Sequence, residues 1–202
     1  MTEQELAVSS VKKAPAAEAP PLTAAHFDDI RPYSDDEFPA IFSRLLGERE
    51  FVDTLASMKF SRLFRWVPWL LRPLIRNTMK RSFAEVNNVA SFQQIIGAQM
   101  HKLLDKDGSQ LTVRGLDKLD PEQSYLFISN HRDIAMDPAL TILALHQQGM
   151  DSVRIAIGDN LLTKPFVCDL MRLNKSFIVR RSVASRREKL AALKHLSAYI
   201  RF

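Results

Sequence analysis

Residues 124–138 read Ser-Tyr-Leu-Phe-Ile-Ser-Asn-His-Arg-Asp-Ile-Ala-Met-Asp-Pro, and this stretch decides how the second half of the chain is expected to fold. Its apolar run at 125–128 is rich in β-formers and follows the polar residues 120–123, which predicts a buried strand. Asp137 and Pro138 precede an apolar helical pattern, so Asp137 is predicted to be an N-cap with Pro138 in the first helical position. A strand followed closely by a helix is typical of an α/β fold.

His131 falls in the polar loop between this strand and this helix. Open α/β sheets bind ligands at such loops, because rigid elements hold the loop while its side chains face a crevice. An imidazole with two carboxylates close in sequence, Asp133 and Asp137, suggests a general base and the group that orients it. The alternative is a surface histidine in a loop, with Asp137 acting only as a helix cap.

The rest of the chain supplies further predicted elements around this unit. Periodicity predicts strands at 111–116, 153–158 and 177–179, and helices at about 35–47, 50–58, 91–108, 138–149, 163–173 and from 185 onward. Capping boxes are expected where such helices begin, among them Ser91 with Gln94 and Ser185 with Glu188. This order indicates an α/β fold, with a layered, at least partly parallel sheet flanked by helices. We therefore expect three regions: a disordered tail at 1–25, a helical N-terminal region at 26–108, and an α/β core at 109–202.

Composition narrows the functional classes. The chain has 202 residues and a net charge of +5, but residues 1–58 hold 5 basic and 11 acidic residues, a net charge of −6, and residues 59–202 carry +11. A basic body favours an anionic partner. The N-terminus lacks the apolar core of a secretory signal, and Cys168 is the only cysteine, which fits a cytoplasmic protein. No Cys/His spacing typical of a metal site occurs, so no metal is expected.

The segment 59–81 contains seven cations, no acid, and both tryptophans of the chain, Trp66 and Trp69. Pro68 and Pro73 are expected to break or kink any helix here. Cations interleaved with aromatic and aliphatic side chains suit the boundary between water and an anionic membrane. The alternative is a pair of helices that pack on the core with their arginines in solvent. Nucleic acid is not expected as a partner, because no recognised binding motif accompanies the charge.

The motif Asn130-His131…Asp137-Pro138 resembles the Asn-His-four residues-Asp motif of the phospholipid/glycerol acyltransferase family, which includes lysophosphatidate and glycerol-3-phosphate acyltransferases. In that family the aspartate is often followed by proline, as it is here. Five residues instead of four separate His131 from Asp137. The resemblance implies His131 as the catalytic base with Asp137 as its partner, and Asp133 is the alternative.

A second motif follows in the order of that family. Residues 177–180, Phe-Ile-Val-Arg, are similar to a block whose arginine helps bind the glycerol phosphate. The match falls on Arg180, and Arg181 is included as a second candidate for the phosphate. Taken alone, the two arginines would be explained as residues that return the chain to solvent. Further residues could line the same crevice, namely Asn130, Lys164, Asp159 and Asn160.

The resemblance covers roughly residues 110–202 and implies an activity. It implies transfer of a fatty acyl group from a CoA or acyl-carrier-protein thioester to a hydroxyl of glycerol 3-phosphate or a lysophospholipid, without a cofactor. Such an enzyme of phospholipid biosynthesis would work as a peripheral protein on the inner face of the membrane. The family's next block, which contains Glu-Gly, is not found, so we expect a truncated piece with an incomplete sheet. The alternative is a non-catalytic, membrane-surface lipid-binding module on the same fold, and a hydrolase is a more distant one.

Overall fold

The computed structural model describes residues 21–106, 111–130, 133 and 136–202. These residues form a mostly helical protein with one small parallel sheet. The regular elements are α1 (Phe38–Gly47), α2 (Arg49–Lys59), α3 (Ser61–Phe64), α4 (Pro68–Ser82), α5 (Val89–Lys106), α6 (Met136–Gln147), β1 (Ile155–Gly158), α7 (Pro165–Leu173), β2 (Ser176–Val179) and α8 (Arg186–Arg201). Short 3-10 turns lie at Ala24–Phe27, Leu116–Lys118 and Asp159–Leu161.

The predicted α/β fold with a helical N-terminal region is confirmed, and its parallel pairing is carried by β1 and β2. These strands flank α7 and pair in parallel, with Ile155 opposite Ser176 and Gly158 opposite Val179. Helices were also found close to the predicted positions, and Ser185 caps α8 through the predicted box with Glu188. The predicted tail at 1–25 lies mostly outside the described residues and stays a prediction.

Two of the four predicted strands are wrong. Residues 111–114 and 124–130 have no regular secondary structure, and within the described residues neither segment joins the two-stranded sheet. The run expected to be buried is largely exposed, with Leu126 at 85% and Ile128 at 87%. A β-strand is stabilised by hydrogen bonds to a neighbouring strand, so a high β-propensity alone does not produce one.

Local details of two helices also differ from the sequence expectation. Helix α5 begins at Val89, because the Asn88 side chain accepts a hydrogen bond from Ser91 N at 2.8 Å and takes the capping role expected of Ser91. Pro68 begins α4 in the position where its missing N–H costs nothing, but α4 continues through Pro73. Leu71 and Ile75 of α4 are buried, and this packing offsets the hydrogen bond that Pro73 cannot make.

Three apolar clusters hold the elements together. The largest joins α1, α2, α5 and α7 through aromatic and aliphatic side chains, including Phe38, Leu45, Phe92 and Leu173. A second packs α4 on α2 through Val52, Ala56, Leu71 and Ile75. The third places Phe27 and Ile30 against β2 and α8. The helical N-terminal region therefore packs directly on the β1–α7–β2 unit.

A buried carboxylate links the same two parts of the chain. Asp169 in α7 is only 5% exposed. Its oxygens accept hydrogen bonds from Arg44 Nε at 2.8 Å, from Arg44 Nη2 at 2.5 Å and from the Tyr33 hydroxyl at 2.8 Å. A buried charge is stable only when it is paired and hydrogen-bonded, so Asp169 depends on α1 and on the segment before it.

Replacing Asp169 with asparagine should therefore destabilise the protein. The variant keeps the shape but leaves Arg44 without its charge partner. Because the Arg44 side chain is 55% exposed and can rehydrate, we expect a loss of about 1–3 kcal/mol in the free energy of unfolding, measured by urea denaturation. Asp151→Asn is the matched control, because the Asp151 side chain that pairs with Lys175 is 88% exposed, and it should cost less than about 1 kcal/mol. Equal losses for the two variants would contradict this role of Asp169.

Candidate functional site at the carboxyl edge of the sheet

The parallel pairing brings two loops together. Gly158 and Val179 are the last residues of β1 and β2 and lie opposite each other. The residues that follow them, Asp159 after β1 and Arg180 and Arg181 after β2, therefore emerge at the same edge of the sheet. Open α/β folds bind ligands at this carboxyl edge. The structure thus brings together Asp159 and the two arginines predicted from the sequence.

Asp159 fixes the backbone of residues 180–182, which follow β2 and which we call the arginine loop. Its Oδ1 accepts hydrogen bonds from Arg181 N at 2.9 Å and from Ser182 N and Oγ, both at 3.1 Å. Burial raises the pKa of the Asp159 carboxyl, but the hydrogen bonds from the Arg181 and Ser182 backbone outweigh it and hold the pKa below its ordinary value. An ionised Asp159 therefore sets the direction in which the chain leaves β2.

Gly158 allows the Arg181 side chain to pack over the end of β1. A Cβ atom at this position would lie 2.8 Å from Cδ of Arg181 and would also collide with the Asn160 side chain. Such contacts are closer than real Cβ atoms make, so any larger residue would push both side chains away. The close packing of Arg181 and Asn160 over this position therefore requires a glycine at the end of β1.

Arg180 is engaged by an acid from the distant N-terminal region. Its Nη2 donates to Asp29 Oδ2 at 2.7 Å, and the other Asp29 oxygen accepts from His195 Nε2 in α8 at 2.9 Å. Burial raises the pKa of Asp29, but the hydrogen bond and charge of His195, together with the charge of Arg180, outweigh it, and the pKa lies below its ordinary value. The side chains of Arg180, Asp29 and His195 are 49%, 38% and 34% exposed, so solvent reaches all three.

The two candidate partners of His131 form one arrangement at the start of α6. Helix α6 begins at Met136, so Asp137 is already in its first turn and is not the N-cap that the sequence predicted. The Asp133 side chain takes that role, because its Oδ1 accepts from Met136 N at 2.7 Å. In return, Asp137 Oδ2 accepts from Asp133 N at 2.9 Å. His131 lies outside the described residues, so its pairing with either aspartate stays a prediction.

The two remaining predicted crevice residues have different surroundings. Asn130 is exposed at the end of the irregular segment 124–130. Lys164 precedes α7, and its ammonium group forms an ion pair with Glu50 in α2 and lies 5.8 Å from the centre of the Phe166 ring. Lys164 therefore links α7 to α2, and its contribution to a substrate site stays a prediction.

A small open pocket lies away from the predicted residues. It has a volume of about 80 Å³ and is formed by α5, α6 and residues 150–152, with Gln93, His146 and Asp151 among its lining side chains. Ser152 Oγ donates to Gln93 Oε1 at 2.7 Å across it, so part of its polar lining is already paired. In the described part of the chain, no three His, Cys, Asp or Glu side chains are grouped as they would be around a metal ion.

Asp29 and His195 were not among the site residues predicted from the sequence. They are 166 residues apart. Asp29 precedes both motifs and His195 follows them, so no local pattern includes either residue together with the motifs. A weak signal exists, because Phe27 and Ile30 flank Asp29 at a spacing that suits an apolar anchor. A single sequence does not say where such an anchor docks.

The carboxyl edge of the sheet lies in a part of the chain that resembles a known protein family. Residues 110–200 match a family model described as Acyltransferase. This region is similar to an acyltransferase-family domain, and we call it the acyltransferase-family domain. The match confirms the resemblance predicted from the two motifs and supports a general acyltransferase role, with an acyl donor and an acceptor as substrates. No curated protein and no solved structure matches the chain.

The acyltransferase-family domain includes the whole carboxyl edge of the sheet. Its boundaries enclose residues 130–138, Asp159 and both arginines, whereas Asp29 comes from outside it. The helical region that precedes the domain thus supplies a direct contact to one of its candidate site residues. Among the helices that the structure describes, none is both long and apolar enough to cross a membrane.

Asp159→Asn should loosen the arginine loop without unfolding the protein. We expect the protection of the Ser182 amide against hydrogen exchange to fall by about tenfold, because the charge-assisted acceptor is lost. In the wild type, folding lowers the pKa of the Asp159 carboxyl from its ordinary value of 3.8. The carboxylate therefore stabilises the loop fully when the pH is above this ordinary pKa, and its contribution is lost as the pH falls through the lowered pKa. The variant should show no such acid-dependent loss.

The control for this experiment is Asp117→Asn, which removes an exposed carboxylate from the 3-10 turn Leu116–Lys118. Its Ser182 protection should equal that of the wild type. Unchanged protection in Asp159→Asn would mean that Asp159 does not hold the loop.

Proposed function

We propose that this protein transfers a fatty acyl group from an acyl thioester to a hydroxyl of glycerol 3-phosphate or of a lysophospholipid. The observation that carries the proposal is the family match over residues 110–200, which contains both motifs in the family's order. The parallel strands support it, because they direct Arg180 to the edge where α/β folds bind ligands. The donor is a CoA or acyl-carrier-protein thioester, and no cofactor is needed for this chemistry.

In the proposed mechanism, His131 is the general base. It accepts the proton of the acceptor hydroxyl while that oxygen attacks the thioester carbonyl carbon, and a tetrahedral intermediate forms. The C–S bond then breaks, and the proton passes from His131 to the leaving thiolate. Asp137, or alternatively Asp133, orients the imidazole and stabilises its protonated form. Arg180, with Arg181 beside it, holds the phosphate and so positions the hydroxyl.

Direct transfer agrees with the environment of the only cysteine. Cys168 lies half-buried in α7, and burial raises the pKa of its thiol. A thiol with a raised pKa holds less of the nucleophilic thiolate at neutral pH. The proposed reaction therefore proceeds without a covalent acyl-enzyme on Cys168.

Replacing His131 with alanine tests the proposed base. We expect kcat for acyl transfer to fall by about 10²- to 10⁴-fold, with the far-UV circular dichroism unchanged, because general-base assistance contributes that much. The assay should offer both CoA and carrier-protein thioesters. His146→Ala is a suitable control, because His146 is exposed at the far end of α6.

Two results would contradict this assignment. Near-normal acyl transfer by folded His131→Ala removes His131 from the mechanism. Release of free fatty acid without acylation of the acceptor, by the wild type, would indicate a hydrolase instead.

A second candidate function is binding to an anionic membrane surface, either by the enzyme or by a non-catalytic module. A set of large apolar side chains on and around α3 and α4 is exposed: Met58, Leu63, Trp66, Trp69, Leu70 and Leu74. Trp66 is 83% exposed and Trp69 is 68% exposed. We call this set the tryptophan face. Exposed apolar surface of this kind is unfavourable in water and favours a partner.

Helix α4 has two apolar sides, and only one of them packs on the protein. Leu71 and Ile75 are buried against α2, whereas Trp69, Leu70 and Leu74 point away. Arg72 pairs with Asp53 at 2.7 Å, and Arg76 donates to Leu46 O at 2.9 Å, so these two cations stabilise the fold.

The segment 59–81 carries most of the tryptophan face, and five other cations of this segment are exposed: Lys59, Arg62, Arg65, Lys80 and Arg81. Tryptophan at headgroup depth with cations on lipid phosphates is the arrangement expected of a peripheral protein. We propose that this face binds the inner, cytoplasmic surface of a membrane and so brings the acyltransferase-family domain to lipid substrates.

The double variant Trp66→Ser/Trp69→Ser should bind vesicles of phosphatidylglycerol and phosphatidylcholine at least about tenfold more weakly, because burial of each aromatic side chain contributes on the order of 1.5–3 kcal/mol. Binding is measured by sedimentation, since the variant has no tryptophan fluorescence. Leu190→Ser/Leu193→Ser is the matched control, because these α8 side chains are 55% and 61% exposed but lie outside the tryptophan face.

Equal losses in the two double variants would contradict a specific membrane surface at α3 and α4. Vesicle binding by a wild-type protein that shows no acyl transfer in the same preparation would favour the non-catalytic module.

A further inference from the structure

One carboxylate from the N-terminal region joins two basic side chains of separate elements. Asp29 contacts Arg180, which follows β2, through one oxygen at 2.7 Å, and contacts His195 of α8 through the other at 2.9 Å. The two basic groups thus face a common point between the end of β2 and α8. That point is occupied by an anion that belongs to the chain itself.

Asp29 is held there by its neighbours in sequence. Phe27 and Ile30 are 1% and 2% exposed, and the Phe27 ring lies 5.3 Å from the His195 ring. Ile178 N of β2 donates to Ile30 O at 2.8 Å, so the segment also follows the backbone of the strand. The apolar anchors on both sides therefore position the Asp29 carboxylate, and its local concentration at Arg180 is high.

Arg172 of α7 fixes the same segment through its backbone. Its guanidinium donates to Asp28 O at 2.7 Å and to Arg31 O at 2.8 Å. These bonds do not involve the Asp29 carboxylate. The segment is consequently expected to stay docked when that carboxylate leaves Arg180.

We propose that Arg180 and His195 form one anion-binding site, and that the Asp29 carboxylate competes there with the phosphate monoester of the acceptor. This inference rests on the proposed function, since that function assigns the phosphate to Arg180. It adds His195 as a second phosphate contact and Asp29 as an internal competitor. Carboxylate and phosphate oxygens accept hydrogen bonds from the same guanidinium geometry, so either anion fits these donors.

A phosphate can displace the Asp29 carboxylate only if the ion pairs that Asp29 makes with Arg180 and His195 are weak. All three side chains are partly exposed, and ion pairs of this kind are weak because water solvates both partners. Phosphate carries up to two charges, whereas the carboxylate carries one, which favours phosphate at Arg180 and His195. Removing the internal anion should therefore tighten phosphate binding by about 3- to 10-fold.

The experiment titrates inorganic phosphate, glycerol 3-phosphate and a short-chain lysophosphatidate into the whole chain and measures each Kd by calorimetry. Asp29→Asn should bind all three about 3- to 10-fold more tightly than the wild type. Asp28→Asn is the matched control with the same loss of charge one residue away. The Asp28 carboxylate pairs with Arg31 at 2.6 Å, so this variant should bind as the wild type does.

Two further variants test the basic partners. Arg180→Gln should abolish measurable binding of inorganic phosphate. His195→Gln in the Asp29→Asn background should weaken binding by at least threefold relative to Asp29→Asn alone. Tighter binding of inorganic phosphate as well as of glycerol 3-phosphate shows that the phosphate group is what the site recognises, and tightening of lysophosphatidate alone would indicate a lipid site instead and overturn the proposal.

The outcomes separate this inference from the proposed function. If Arg180→Gln loses phosphate binding while Asp29→Asn binds as the wild type does, the competition is overturned and the role of Arg180 stands. If Arg180→Gln still binds phosphate, both are overturned. Asp29→Ser is the second variant, with the same expected tightening, should Asn at position 29 not support folding.

Discussion

The buried carboxylate of Asp169 fixes how the helical region packs on the β1–α7–β2 unit, in addition to the apolar clusters. Its partners come from α1 and from the segment just before it, namely Arg44 and Tyr33. Arg172, one turn further along α7, lies over the Tyr33 ring at 4.1 Å and also binds the backbone of residues 28 and 31. One short helix thus fixes both the first long helix and the segment that carries Asp29. The position of an acid at Arg180 follows from these contacts around α7.

The sheet has only two strands in the described residues, yet it is enough to organise the candidate site. Parallel pairing requires both strands to end at the same edge, and α7 supplies the crossover between them. The loops after β1 and β2 therefore meet, and Asp159 can bind the backbone after Arg180. The geometry of a site at strand ends is set by the backbone hydrogen bonds between the strands. These bonds do not depend on the identity of the surrounding side chains.

The sequence predicted those features that local patterns determine. Helix positions, the Ser185 cap, the β1–α7–β2 order and the family could all be read from spacing and motifs. The strand predictions at 111–116 and 125–129 failed, because a strand needs a neighbouring strand to pair with, and a β-rich run such as 125–128 does not indicate whether such a partner exists. The cap of α6 was missed for a related reason, because Asp133 and Asp137 are both good capping residues and only the backbone geometry selects Asp133.

Charge shows most clearly why a sequence count is not enough. The basic body of the chain indicated an anionic partner, but several of its cations are matched by acids of the N-terminal half. Arg180 pairs with Asp29, and Lys164 pairs with Glu50. The acidic half is therefore the first anionic partner of the basic half, within one chain. The exposed cations of the segment 59–81 differ, because they belong to the same segment as the exposed Trp66 and Trp69. The proposed partner, a membrane surface, has anionic headgroups above an apolar interior and so matches both the cations and the tryptophans.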